Sequence, residues 1–193
     1  MDKNICSVMN DYVLVLLEEI HIPALFQWEQ EELHMEYITC RPVPCYESYE
    51  AYAATLLPKN TAEIKRNYLL VKRADDTMPI GKITLFDINP RNRSAEFGYY
   101  MPERYRGKGL GSIMLKKFLS TVFLDPVLNL NKIYATTSAG NQLSMRLLEK
   151  HGFHLDGKNR EHYWIEGHRY DQMIYSLLRR EWEDSLVKIK SQS

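Results

Sequence analysis

The chain has 193 residues, 45% hydrophobic and 26% charged, enough apolar material for one core in one domain and too much for wholesale disorder. Its 25 lysines and arginines balance 25 acidic residues, which excludes a strongly basic body tracking a nucleic-acid backbone but leaves room for a local cationic patch around a small anion. No apolar run nears the ~20 residues that span a bilayer, Met1–Asn10 lacks the succession of a secretion signal, and Cys6, Cys40 and Cys45 show no Cys-x-x-Cys spacing, which fits reduced thiols in a cytoplasmic protein.

In chain order, residues 1–11 read as a loose leader, 12–182 as the domain and 183–193 as a tail. Tyr12–Leu17 is a short apolar run that suits a buried strand. Ile22–Gln30 carries Leu25, Phe26 and Trp28 at helical spacing, with Pro23 tolerated in the first turn. Residues 31–45 are mixed and proline-bearing, a flexible loop, and Tyr46–Leu57 reads as a second helix stopped before Pro58. Tyr68–Arg73 is a strand closed by a turn at Asp75-Asp76, Ile80–Ile88 is its hairpin partner, and Ser94–Met101 follows the turn Asn89–Asn92 as a third strand. From Gly109 the period changes. Leu110, Ile113, Met114, Phe118, Leu119, Val122 and Phe123 lie at helical spacing, and Asp125-Pro126 ends the helix. Lys132–Thr137 is a strand. Asn141–His151 is a helix with Leu143, Leu147 and Leu148 inward and Gly152 at its end, and Phe153–Ile165 and His168–Leu178 are closing strands joined at Glu166-Gly167. This order predicts an α/β fold, one mixed sheet covered by helices.

The segment richest in chemistry is Arg104-Tyr105-Arg106-Gly107-Lys108-Gly109-Leu110-Gly111, between a strand and an amphipathic helix. Three glycines in five residues permit positive φ and a close backbone approach to a ligand. The start of the next helix offers unpaired N–H groups and a partial positive charge, a natural phosphate site. Arg104, Arg106 and Lys108 add cations to that loop. The dinucleotide pattern Gly-x-Gly-x-x-Gly fails, because Ser112 or Met114 stands where the third glycine is needed. The P-loop pattern fails because Gly107-Lys108 is followed by Gly109. What remains is Arg106-x-x-Gly109-x-Gly111.

That pattern resembles the acetyl-CoA pyrophosphate loop of the GNAT acetyltransferase superfamily. Ala95–Gly109 is similar to the strand-to-loop segment of the RimJ/RimL-like branch, which includes ribosomal-protein N-terminal acetyltransferases. Asn141–Phe153 resembles its Asn-led helix ending in Glu-Lys-x-Gly-Phe, Arg160–Gly167 its closing hairpin and Tyr175–Trp182 its last strand and tail. The four motifs occur in the right order over roughly residues 80–180, and the resemblance is vague before residue 68.

The resemblance implies a GNAT-like fold with a mostly antiparallel mixed sheet, splayed between its fourth and fifth strands, and helices on both faces. It implies acetyl-CoA as co-substrate; a monomer or homodimer is expected, with no metal, because His151, His154, His162 and His168 lack metal-site spacing, and no nucleic-acid or membrane partner, given the balanced charge and the lack of a long apolar run. Amides near Tyr100 and Met101 would bond the pantetheine arm and polarise the thioester carbonyl. Arg106, Gly107, Lys108, Gly109, Leu110, Gly111 and Ser112 would hold the pyrophosphate. Asn141 would contact pantetheine and cap its helix, and Lys150 would reach the adenosine 3′-phosphate. Glu96 is the candidate general base, Glu161 the second candidate, and Ser144 would protonate the departing thiolate. Trp28, Tyr37 and the aromatic stretch Tyr46–Tyr52 are candidates for an acceptor pocket, and Tyr163 is the first phenol to test there. The favoured acceptor is a protein N-terminal α-amine, whose pKa of about 7.7–8.0 asks less of a base than a lysine-like amine at about 10.4. The alternatives are a small amine (polyamine, aminoglycoside or amino sugar) and a non-catalytic acyl-CoA sensor.

Overall fold

A computed structural model describes residues 10–31, 46–56 and 65–191. The strands are β1 (Tyr12–Leu16), β2 (Arg66–Lys72), β3 (Asp75–Asn89), β4 (Ser94–Tyr100), β5 (Lys132–Ser138), β6 (His154–Ile165) and β7 (His168–Leu178). The helices are α1 (Ile22–Glu31), α2 (Tyr49–Leu56), α3 (Leu110–Leu124), α4 (Gln142–Lys150) and α5 (Arg179–Ser191). The strands form one sheet in the order β1-β2-β3-β4-β5-β7-β6. Every pairing is antiparallel except β4 with β5.

The pleat sends alternate residues to two separate cores. Leu70, Ile83, Leu85, Ala95 and Phe97 face one side, where Met114, Phe118 and Val122 of α3, Leu148 of α4 and Trp182 of α5 complete the packing. Leu69, Val71 and Tyr100 face the other, against Ile22, Leu25 and Trp28 of α1 and Tyr52 of α2. Helices therefore cover both faces, as the resemblance implies. Each fully buried aliphatic or aromatic side chain contributes about 1.5–3 kcal/mol, so the larger core around α3 dominates stability.

Three local expectations are corrected. The β2–β3 turn falls at Arg73-Ala74, because Asp75 already pairs with Lys72. Strand β3 begins five residues before the expected Ile80: Pro79, which cannot donate to a ladder, is accommodated where the register shifts around Val71. Leu143 does not enter the core but is 73% exposed, because it lies on the wall of an open cleft, whereas Leu148 further along α4 is fully buried. Helix α5 begins at the end of β7, buries Trp182 and runs on to Ser191. Residues 1–9 of the leader expected over 1–11, residues 32–45 of the loop expected over 31–45 (Tyr37 among them), the three cysteines and the stop at Pro58 lie outside the described residues. No helix among the described residues is long and apolar enough to cross a membrane.

One feature of the sheet positions the site. The parallel pair holds for only three positions, Ser94 with Lys132, Ala95 with Ile133 and Glu96 with Tyr134. Beyond them β4 keeps its pairing with β3 and β5 its pairing with β7, so the two strands part. Glu96 stands at the apex of this opening.

Candidate active site

The opening continues into a cleft of about 1250 Å³. On the α3 side its wall is the glycine-rich loop. Gly107 and Gly109 have φ of 73° and 76°, left-handed values that cost an L-side chain roughly 1–2 kcal/mol. A Cβ at either would meet nothing within 4 Å, so backbone conformation selects glycine there. Gly111 differs: its φ is not positive, and a Cβ would touch Leu147 at an ordinary 3.5 Å. Nothing in the protein itself demands glycine at that position, whereas a ligand lying on the backbone would. The Gly109 carbonyl accepts from the Ser112 and Ile113 amides at 3.1 and 3.2 Å. The helical ladder starts there, and the amides before it point out of the α3 N-terminus. Arg106 Nε donates to the Met101 carbonyl at 2.8 Å, which ties the loop to the end of β4.

Asn141 caps α4, its Oδ1 accepting from the Ser144 amide at 3.1 Å, and it lines the cleft together with Ser144 and Lys150. Ser144 Oγ lies 2.7 Å from the Tyr99 hydroxyl. Burial pushes the Tyr99 phenol up to about 12 against the opposing pull of that bond, so it stays protonated. Ser112 Oγ lies 2.8 Å from His151 Nε2. Burial, then Lys150 and Lys116, push the His151 imidazole down to about 4.

The other side of the cleft is built by the pleat. The pairs Lys82 with Tyr100, Thr84 with Gly98 and Phe86 with Glu96 share one face of the sheet, under α1. Glu96 is only 7% exposed and accepts from Thr136 Oγ1 at 3.0 Å. Trp28 packs its ring 5.7 Å from Tyr100. Glu29 on α1 interacts with Lys82 and Tyr52; burial holds its carboxyl above the ordinary range, against the pull of both partners. Burial lowers the Lys82 amine, with Glu29 opposing and Lys65 adding to the shift. Asp87 and Glu166 add carboxylates to the cleft wall.

The structure thus gathers Trp28, Glu96, Tyr100, Met101, Arg106, Gly107 and Gly109 around one cleft with Leu110, Gly111, Ser112, Asn141, Ser144 and Lys150. It does not bring Lys108, Glu161 or Tyr163 to the cleft wall. Lys108 Nζ folds back onto the Arg104 carbonyl at 2.8 Å. Glu161 sits at φ 50° in the irregular stretch of β6, its amide donating to Asp171 Oδ1 at 2.9 Å. The Tyr163 hydroxyl accepts from Gln172 Nε2 at 2.7 Å on the edge hairpin. Sequence reasoning missed Glu29, Lys82, Tyr99, Thr136 and His151 as parts of the cleft and its support. Lys82 carried a signal, a single cation inside the apolar run Ile80–Phe86; the others carried none, because their partners are distant in sequence. Among the described residues no group of three or more His, Cys, Asp or Glu is placed to hold a metal ion.

Comparison with known proteins agrees with this geometry. Residues 12–154 match the profile of the acetyltransferase (GNAT) domain. YdaF of Bacillus subtilis, which carries the provisional name of a ribosomal N-acetyltransferase, is 30% identical over 141 residues, 70% of this chain and 74% of that protein. Spermidine N(1)-acetyltransferase of Vibrio cholerae is 30% identical over 137 residues, 71% of this chain and 77% of that one. The crystal structure of spermidine N-acetyltransferase from Vibrio cholerae in complex with CoA and spermine superposes with a TM-score of 0.73 over 90% of this chain and 98% of that one. At 24% identity this likeness bears on the fold.

Proposed function

The chain belongs to the GNAT acetyltransferase family, and from that premise we propose that it moves the acetyl group of acetyl-CoA onto a primary amine entering the cleft from the α1 side. The carrying observation is the parting of β4 and β5 just beyond Glu96. It joins a phosphate-accepting loop on one side to a carboxylate-bearing face on the other.

The residues fit the cofactor. The α3 N-terminus and Arg106 suit a diphosphate, Lys150 suits a further phosphate, and Gly111 leaves its backbone open to close approach. Bound acetyl-CoA supplies an activated acetyl: the amine nitrogen bonds to the acetyl carbon as the carbon–sulfur bond breaks, releasing amide and thiol. Only a neutral amine attacks, so the acceptor must lose a proton at the site. Glu96, held by Thr136 beside the gap, takes it. The Ser144–Tyr99 hydroxyl pair holds a proton that can pass to the departing sulfur. Backbone donors near Tyr100 and Met101 would stabilise charge on the thioester oxygen, commonly worth about 3–4 kcal/mol per donor.

A protein N-terminal α-amine is the acceptor that asks least of Glu96, and the similarity to YdaF supports it. A second reading is favoured by Glu29, Asp87 and Glu166, which add carboxylates beyond the one a single amine needs. They suit a polycation, as does the similarity to a spermidine acetyltransferase. Thiol release from acetyl-CoA, followed with a panel of N-terminal peptides, spermidine, spermine and aminoglycosides and with product masses, decides among them. Release with peptides above acceptor-free hydrolysis supports the first reading, and release with polyamines alone replaces it by the second. Tight CoA binding without release on any amine means a sensor and overturns both.

A further inference from the structure

The hydroxyl of Ser112 and the imidazole of His151 form a pair that the acetyl transfer described above does not use. Ser112 lies in the first turn of α3, directly after Gly111, and lines the cleft. Its amide is already given to the Gly109 carbonyl at 3.1 Å, so Ser112 can meet an anion through its hydroxyl alone. That hydroxyl has one hydrogen. If Nε2 of His151 accepts it across the 2.8 Å contact, only oxygen lone pairs turn to the cleft, the wrong polarity for a phosphate oxygen. If Nε2 carries a hydrogen and donates to Oγ, the hydroxyl hydrogen is free to turn toward the phosphate.

We propose that His151 is a positioning residue for cofactor phosphate: it sets the polarity of the Ser112 hydroxyl, and cofactor binding draws a proton onto the imidazole. The inference rests on acetyl-CoA binding at the α3 loop. The charged groups facing His151 are Lys150 on α4, which also lines the cleft, and Lys116 on α3. With burial they keep the imidazole neutral in the free protein. A bound diphosphate offsets both lysines and rewards the imidazolium, which donates at Nε2 without any choice of tautomer. By linkage, a group whose pKa rises on binding makes the ligand bind tighter as pH falls.

The probe is 3′-dephospho-CoA, whose diphosphate does not titrate in the range used. Calorimetric titrations run at pH 7.5 and 5.5, in buffers of different ionisation enthalpy. For the wild-type chain the expected result is net proton uptake at pH 5.5 and an affinity at least threefold tighter there than at pH 7.5. His151→Gln, which keeps a donor near the same place, retains affinity within about threefold at pH 7.5 but loses the uptake and the slope. His151→Leu weakens binding about tenfold, as loss of a hydrogen bond to a charged group does. In a Ser112→Ala background the same change has no further effect. Circular dichroism checks that each variant is folded. A Gln variant with wild-type proton uptake, or a Ser112→Ala variant with wild-type affinity, overturns the proposal while leaving the loop's role intact. A wild-type chain that binds neither CoA nor its dephospho form overturns the acetyl-CoA reading and this inference with it.

Discussion

At the scale of single residues, two glycines of one loop are constrained for different reasons, and mutation separates them. Gly109 needs its left-handed φ of 76°, so Gly109→Ala strains the free protein by about 1–2 kcal/mol and lowers its melting temperature. Gly111→Ala meets only Leu147 at 3.5 Å, so the melting temperature stays within a degree or two of wild type, whereas the KM for acetyl-CoA rises about tenfold through lost close approach. Equal KM in the Gly111 variant would show that no ligand lies on that backbone. Glu96→Gln keeps the bond geometry to Thr136 available but removes the proton acceptor. Its kcat should fall about 10²-fold or more and climb more steeply with pH, because the amine must then arrive already deprotonated. An unchanged pH–rate profile removes Glu96 from the role.

At the scale of elements, α4 and α5 attach to the sheet by different means. Helix α4 is short and begins with a side-chain cap from Asn141. Asn141→Ala should cost about 1 kcal/mol, seen as a lowered urea midpoint, with faster amide exchange confined to the first turn of α4. Helix α5 is fastened by Trp182, 5% exposed, whose ring stacks on Phe123 of α3 at 5.3 Å. Trp182→Ala should cost about 3–5 kcal/mol in denaturant unfolding while leaving the KM for acetyl-CoA unchanged, because the indole packs in the α3 core and is not part of the cleft wall. A large shift in KM would mean that α5 and the cleft are coupled.

At the scale of the whole molecule, the cleft crosses the sheet, and its two ends sit on different cores. The end proposed for the cofactor is set by α3 and α4 in one core, and the end proposed for the acceptor by α1 and α2 in the other. Buried titratable groups then make stability depend on pH. His151 titrates at about 4 when folded and at 6.5 unfolded. Below 6.5 the unfolded chain binds the proton first, so stability falls as pH drops from 6.5 through 4, by up to about 3 kcal/mol. Urea midpoints measured at pH 7.5, 6 and 5 should therefore decline, and His151→Gln should decline less. Parallel declines in the two proteins would mean that His151 is not held neutral.

The element order, the boundaries of α3 and β4 and the glycine-rich loop were legible in the chain, because they rest on local signals: the change from strand to helical period at Gly109, the glycine spacing, the cap at Asn141. Leu143 and the start of β3 were misread where packing or a register shift overrides local preference. Sequence by itself determined that this protein presents a glycine-rich turn ahead of an amphipathic helix, since both need only neighbours a few residues apart. Only the tertiary structure decided which polar groups meet. Thr136 with Glu96, Glu29 with Lys82, Tyr99 with Ser144 and Ser112 with His151 are joined across separate elements, and such pairings follow from strand register and helix placement, which no local pattern encodes.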